Sequence, residues 1–170
     1  RLNRYKVRLR RYNDTGVQFL EIKFKNNKRF TKKARIKKSD RESSFSDIEY
    51  EFLKQNTPFD PEILKKSLKT KFSRITFSDY GFTERITIDI LLELNFKEKN
   101  ELIDDIVICE VKKNSKTVSS KFEKILFEKR IKPFGISKYC LGNYYLNDDV
   151  KHNLYKEKVI LLQKILQNNE

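Results

Sequence analysis

The sequence predicts an α+β fold, a mostly antiparallel β-barrel with helices packed against its outside. Three observations predict this class. Six segments alternate charged and apolar side chains with a period of two, which is typical of strands with one polar and one apolar face. Several short segments carry apolar residues at helical spacing, so each needs an apolar surface to cover. Finally, a chain of 170 residues with 13 Phe and 8 Tyr can bury a core and fits one domain.

The six predicted strands fall into two groups, and each group carries basic residues on one face. In the first group the alternating charged positions are Lys6, Arg8 and Arg10, then Glu21, Lys23 and Lys25, then Lys33, Arg35 and Lys37. In the second group the polar face runs through Arg74, Thr76 and Ser78, then Arg85, Thr87 and Asp89, then Glu110 and Lys112. Because the apolar faces are the expected partners of the helices, we expect the charged faces to point away from the helices, into a lumen if the sheet closes.

Five helices are predicted between and after the strands. Residues 47–54 form the first, and Asp60 with Pro61 is a start signal for the second. Ser120 and Glu123 have capping-box spacing, and Ser137 is a further candidate cap. Asp148 is expected to open the longest helix.

The charge balance predicts a polyanionic partner. The chain has 38 Lys and Arg against 24 Asp and Glu, a formal net charge of +14. Nucleic acid, an anionic membrane surface and phosphorylated molecules all fit such an excess. No recognisable nucleic-acid-binding motif occurs, which counts against the first of these.

Paired basic residues on one strand face indicate phosphate binding. Arg8 and Arg10 are two positions apart, which places their guanidiniums about 7 Å apart on one side of a strand. Guanidiniums bind phosphate oxygens through two parallel hydrogen bonds, so an alternating row of cations suits a phosphate chain. The carboxylates among these cations, Glu21, Asp89 and Glu110, either hold a divalent cation or hold the basic residues in place. Of these, Asp89 is expected to order Arg85 rather than to bind metal.

Seven short motifs in order give the chain a resemblance to a known family. They are KVRLRRY (6–12), FLEIK (19–23), KKAR (32–35), SRITF (73–77), ERITIDI (84–90), ICEVK (108–112) and ISKYCLG (136–142). Together they resemble the polyphosphate polymerase domain of the vacuolar transporter chaperone (VTC) complex, which belongs to the triphosphate tunnel metalloenzymes.

The resemblance implies an activity and a set of site residues. The family transfers the terminal phosphoryl group of ATP to a growing polyphosphate chain and releases ADP, so ATP and inorganic polyphosphate are the implied partners. The matching phosphate-binding residues are Arg8, Arg10, Lys23, Lys33, Arg35 and Lys138, and the matching catalytic cations are Arg74, Arg85 and Lys112. Glu110 matches the glutamate that binds Mn²⁺ or Mg²⁺.

Several alternatives stay open. A tunnel-type triphosphatase needs the same cations and metal as a polymerase, and a non-catalytic polyphosphate or nucleotide sensor needs the cations alone. We expect one tunnel domain over residues 1–170 that lacks the family's first strand and helix. We expect a cytoplasmic protein that binds no nucleic acid, with membrane association only through other subunits or missing segments.

Overall fold

The computed structural model describes residues 3–28, 30–38, 44–113 and 120–167. This part of the chain forms antiparallel sheets and helices, so the predicted α+β class is confirmed. Neither of the two sheets closes into a barrel within the described residues. The chain divides into two compact units, residues 1–65 and 66–170. The expectation of one domain over the whole chain stays a prediction.

The first unit contains a three-stranded antiparallel sheet. Its strands are β1 (Asn3–Arg11), β2 (Gln18–Asn26) and β3 (Thr31–Lys38), in the order β1-β2-β3. Gly16 has a φ of 69° in the turn between β1 and β2, a left-handed conformation that glycine adopts without steric cost. Asn26 ends β2, and its side chain accepts a hydrogen bond from the Phe30 amide at 3.0 Å. The three predicted strands of this unit are therefore confirmed.

Helix α1 (Asp47–Asn56) belongs to the first unit and packs on the apolar face of the sheet. Leu20 and Ile22 of β2 and Leu53 of α1 are buried together. The helix begins after Ser46, whose hydroxyl accepts a hydrogen bond from the Glu49 amide, as in a capping box. Glu49 also accepts a hydrogen bond from the buried Lys38 at 2.8 Å, which ties the end of β3 to the start of the helix.

The helix predicted after Asp60 is a single 3-10 turn over Pro61–Ile63. Asp60 caps it as expected, since its side chain accepts a hydrogen bond from the Glu62 amide. Leu64 is extended, with φ −72° and ψ 119°, and packs against the cluster around Leu20. This packing ends the helix after one turn.

The second unit has a sheet centred on its longest strand. Strand β5 (Glu84–Phe96) pairs with β4 (Lys69–Ser78) along one edge. Strands β6 (Lys99–Ile103) and β7 (Ile108–Lys113) pair with opposite halves of β5 along its other edge. The hairpin of β5 and β6 was not predicted. Its turn contains Lys97 with a φ of 52°, a conformation that Gly or Asn usually marks in a sequence.

A β-bulge in β5 exchanges the two faces of this sheet. Ser73 of β4 pairs with Ile90 of β5, and Lys71 pairs with Glu93. A step of two residues in β4 is therefore matched by a step of three residues in β5. Leu91 lies in the extra step with a φ of 53°. Because side chains alternate along a strand, the extra residue puts Asp89 on the same side of the sheet as Leu92.

Two helices of the second unit, α3 (Lys138–Leu146) and α4 (Asn153–Gln167), pack on that same side. Helix α2 (Lys121–Glu128) has no buried residue. Leu141 and Leu146 of α3 and Val159 and Leu162 of α4 share one core. Its strand and loop members are Leu92, Leu94, Ile103 and Ile106. Within the described part of the chain, no helix has both the length and the apolar character needed to cross a bilayer.

Two expectations for this unit are wrong. Helix α4 begins at Asn153 rather than after Asp148, because Asp148 instead forms an ion pair with Lys99 of β6 at 2.5 Å. The charged strand face does not point away from the helices, because the bulge brings it onto the side of α3. The opposite, apolar face is left partly exposed at Ile75 and Phe77.

Candidate functional site

The first unit gathers all five of its predicted phosphate-binding residues on one face of the sheet. In the register, Arg8, Glu21 and Arg35 form one row across the three strands, and Lys6, Lys23 and Lys33 form the next. Directly opposed residues of an antiparallel pair share a face, and so do residues two apart along one strand. The cations of this face are Arg4, Lys6, Arg8, Arg10, Lys23, Lys25, Lys33, Arg35 and Lys37. Glu21 is the one carboxylate at the paired positions of this face.

Glu21 acts as an ion-pair partner within this face. Its carboxylate accepts hydrogen bonds from both Nε, at 3.0 Å, and Nη2 of Arg8. Nε of Arg10 lies 3.7 Å from the same carboxylate oxygen. Aromatic rings orient the guanidiniums further: that of Arg35 lies over the ring of Phe19, 4.9 Å from its centroid. The face therefore presents ordered but exposed guanidiniums, which suits binding of a long anion.

The second unit places its predicted site residues in three adjacent rows. Ser78, Arg85 and Lys112 form the first row across β4, β5 and β7. Thr76, Thr87 and Glu110 form the second row, and Arg74, Asp89 and Ile108 form the third. Four predicted residues, namely Arg74, Arg85, Lys112 and Glu110, thus share one face.

Asp89 connects this face to helix α3. Its buried carboxylate accepts two hydrogen bonds from Arg74, from Nε at 2.5 Å and from Nη2 at 2.7 Å, and one from Nζ of Lys138 at 2.5 Å. Ser137 caps α3 and thereby fixes Lys138 at the first position of the helix. The side chain of Phe72 lies under both cations, 5.1 Å from the Arg74 guanidinium and 4.5 Å from the Lys138 amine.

Two opposing effects set the pKa of Asp89. Burial raises it, but the hydrogen bonds and positive charges of Arg74 and Lys138 lower it by more. The net pKa therefore lies below the usual range of an aspartate, and Asp89 is ionised at neutral pH. The sequence suggested that Asp89 orders Arg85. This was wrong, because Arg85 lies opposite Ser78 and Lys112, two rows away from Arg74.

Glu110 is half exposed, at 51% of its side-chain surface, and its carboxylate lies 3.2 Å from the amine of Lys112. The described residues contain no group of three or more His, Cys, Asp or Glu side chains that could form a metal site by themselves. Mg²⁺ is commonly held by one or two carboxylates together with phosphate oxygens and water. Glu110, an exposed carboxylate beside cations, has the chemistry of this second mode of binding.

Sequence reasoning missed two residues of this region. Phe72 lies beside Arg74 and Lys138, but no motif includes it. Thr87 was placed on the polar face and lies in the ERITIDI motif, but no role was assigned to it. The contacts of Asp89 also could not be predicted from the sequence, because they depend on the bulge at Leu91 and on the position of α3.

Comparison with known protein families agrees with the motifs. A family model of the VTC domain matches residues 1–147, which is most of the chain. Neither a curated relative nor a solved structure matches. VTC domains have the triphosphate tunnel metalloenzyme-like fold and are associated with polyphosphate-metabolising enzymes. The resemblance drawn from the seven motifs is thereby confirmed: the chain belongs to the VTC domain family.

Proposed function

We propose that this chain is a metal-dependent polyphosphate polymerase that transfers the terminal phosphoryl group of ATP to a polyphosphate chain. The observation that carries the proposal is the charged face of the first unit, where basic residues recur at nearly every paired position and α1 covers the opposite face. Neighbouring cations are about 7 Å apart along a strand and about 5 Å apart across strands, so a flexible phosphate chain always has a cation within reach. This face has the chemistry needed to bind a chain of phosphates.

The proposed reaction uses the rows of the second unit. A terminal oxygen of the polyphosphate chain attacks the γ-phosphorus of ATP, and the bond from that phosphorus to the β–γ bridging oxygen breaks. ADP leaves with the electron pair. Arg74, Arg85 and Lys112 stabilise the charge on the transferred group, while Arg8, Arg10, Lys23, Lys33, Arg35 and Lys138 hold phosphates. Phosphoryl transfer depends mainly on such positioning and charge stabilisation.

Glu110 would hold the Mn²⁺ or Mg²⁺ ion that the reaction requires. When bound, such an ion neutralises phosphate oxygens and draws charge from the leaving group. In this proposal no residue of the second unit acts as a general acid or a general base.

The test is incubation of the protein with ATP and MnCl₂, followed by separation of the products on a gel. A polymerase gives a ladder of polyphosphate together with ADP. A triphosphatase instead releases orthophosphate and leaves no ladder. Absence of turnover in a protein that still binds tripolyphosphate would support the alternative function, a polyphosphate or nucleotide sensor. The charged face of the first unit would suffice for that alternative, because a sensor needs the cations alone.

The binding part of the proposal has its own test. We expect tripolyphosphate to bind far more tightly than duplex DNA when both are measured at ~150 mM salt. Tripolyphosphate at a hundredfold its Kd should stabilise the protein by about 2.7 kcal/mol. Equal affinity for the two ligands would mean that the positive charge is a diffuse patch.

A further inference from the structure

Thr87 lies at the centre of the predicted site residues in the second unit. It occupies the middle row of the sheet, directly between Thr76 of β4 and Glu110 of β7. The adjacent rows contain Arg74 and Asp89 on one side, and Arg85 and Lys112 on the other. Diagonal neighbours on one sheet face are about 7–8 Å apart, so long side chains in these rows reach over a residue in the middle.

The hydroxyl of Thr87 is buried without a hydrogen-bond partner among the described residues. Thr87 as a whole is only 5% exposed. A buried hydroxyl is nearly always hydrogen-bonded, because an unpaired one loses its bonds to water and gains nothing in return. An unpaired group of this kind needs an explanation, and a ligand that supplies the missing partner is one.

The surroundings of this hydroxyl define the chemistry of such a ligand. The cations of the adjacent rows would attract an anion, and Asp89 is already committed to Arg74 and Lys138. Asp89 accepts three hydrogen bonds from these two cations, and none links it to the Thr87 hydroxyl. An anion with several oxygens could contact the cations above Thr87 and the hydroxyl below them at the same time.

We propose that Oγ1 of Thr87 donates a hydrogen bond to a phosphate oxygen of the bound chain, as a binding residue in addition to the cations. The inference rests on the proposed function. Binding draws the long side chains of the adjacent rows onto the phosphate oxygens, which opens the space above Thr87. The hydroxyl is small and fixed by a β-branched side chain, so it adds directionality that flexible Lys side chains lack.

The test compares Thr87→Val with Thr87→Ser. Valine has the shape of threonine without its hydroxyl, and serine keeps the hydroxyl without the methyl group. The affinity for tripolyphosphate is measured by calorimetry in metal-free buffer, and the Tm is measured without ligand.

We expect Thr87→Val to weaken binding about tenfold, as for loss of a hydrogen bond to a charged group. Its Tm without ligand should equal or exceed that of the wild type, because an unpaired buried hydroxyl has been removed. Thr87→Ser should bind like the wild type.

A control is Thr15→Val, in an exposed turn that lies outside the charged rows. Its hydroxyl accepts one long hydrogen bond, at 3.4 Å from the Val17 amide, so its removal should change neither the affinity nor the Tm appreciably. Unchanged binding by Thr87→Val would overturn the assignment, and so would equal losses from both valine variants. A fall in both Tm and affinity for Thr87→Val would also overturn it, since the hydroxyl would then be structural. Failure of the wild type to bind tripolyphosphate would instead overturn the proposed function itself.

Discussion

The two sheets of this protein carry the same pattern of charge but differ in what surrounds it. In the first unit α1 covers the apolar face, so the cations of the other face stay open to solvent. In the second unit the bulge at Leu91 turns the charged rows of β5 to the side of the helix core, and Thr87 and Asp89 are buried. The comparison teaches that one extra residue in a strand can convert an exposed binding surface into a site with a buried polar centre.

One carboxylate in each sheet shows the difference most clearly. Glu21 pairs with Arg8 and Arg10 while 18% of its side chain stays exposed. Asp89 pairs with Arg74 and Lys138 with only 4% exposed. An ion pair in water contributes little to stability, whereas a buried charge that loses its partner is costly. We therefore expect Glu21 to adjust the affinity for phosphate and Asp89 to stabilise the structure of the site.

The largest expected effect concerns Glu110 of the second unit. Glu110→Gln keeps the size and hydrogen-bonding capacity of the side chain but removes its charge. If Glu110 binds the metal, Mn²⁺-dependent polyphosphate synthesis should fall by orders of magnitude, while tripolyphosphate binding in metal-free buffer stays equal or becomes tighter. Product formation on gels and calorimetric titration measure the two quantities. Full turnover in this variant would mean that Glu110 only balances the charge of Lys112.

The next largest effect is a difference in stability and binding between the variants Arg74→Ala and Arg8→Ala. Arg74→Ala is expected to abolish polyphosphate binding or turnover and to destabilise the protein by about 1–3 kcal/mol, because Asp89 keeps only Lys138 as a partner. Arg8→Ala should weaken binding but cost only about 0–1 kcal/mol, because Glu21 is partly solvated and keeps Arg10. Binding assays and urea unfolding measure both variants.

Arg85→Ala and Lys25→Ala complete this series. Arg85 lies on the same face as Glu110, so its removal should also abolish binding or turnover, without the loss of stability expected for Arg74. Lys25 lies in the end row of the first charged face, opposite Arg4 and Thr31, which holds none of the predicted phosphate-binding residues, so Lys25→Ala should change little. Similar losses of binding from all these substitutions would show that the charge acts as a diffuse patch.

The sequence predicted the strands of the first unit well, and the reason is local. There the alternation of charged and apolar residues and the helical pattern of residues 47–54 both agree with the final structure. In the second unit, by contrast, Leu91 and Lys97 adopt positive φ without the Gly or Asn that would indicate it. The bulge and the hairpin of β5 and β6 depend on the packing of Leu92 and Leu94 against α3, which no local pattern contains.

The same limit applies to the candidate site. Period-two alternation assigned Arg74, Arg85, Glu110 and Lys112 to one face, and the register agrees with this. It could not show which cation Asp89 contacts, because Lys138 comes from a helix that lies 49 positions further along the chain. Pairs within neighbouring strands were therefore predictable, and contacts between a helix and the sheet were not.

A smaller effect is expected from the titration of Asp89. Its pKa is lower in the folded protein than in the unfolded chain, so its ion pairs contribute stability above the unfolded pKa of about 4 and lose it as the pH falls through the folded value. Asp89→Asn should therefore lower the Tm at pH 7 but lose less on further acidification than the wild type does. Thermal unfolding at pH 7, 5 and 3 measures this, with Asp14→Asn in an exposed turn as the control. Parallel acid profiles for the wild type and Asp89→Asn would contradict the assignment.

The smallest effect should come from the other carboxylate. Glu21→Gln removes the one negative charge at the paired positions of the first charged face but leaves a side chain that can still accept a hydrogen bond from Arg8. We expect a change in stability of less than about 1 kcal/mol, because Glu21 is partly solvated. Tripolyphosphate binding in metal-free buffer should become a few-fold tighter, since one repulsive charge has gone and the Arg8 and Arg10 guanidiniums are freed for phosphate. Glu51→Gln on α1 changes the net charge equally but lies off the charged face, so it should leave the affinity nearly unchanged. If Glu21→Gln weakens binding instead, Glu21 orients the guanidiniums as Asp89 does, and the proposed difference between the two sheets does not hold.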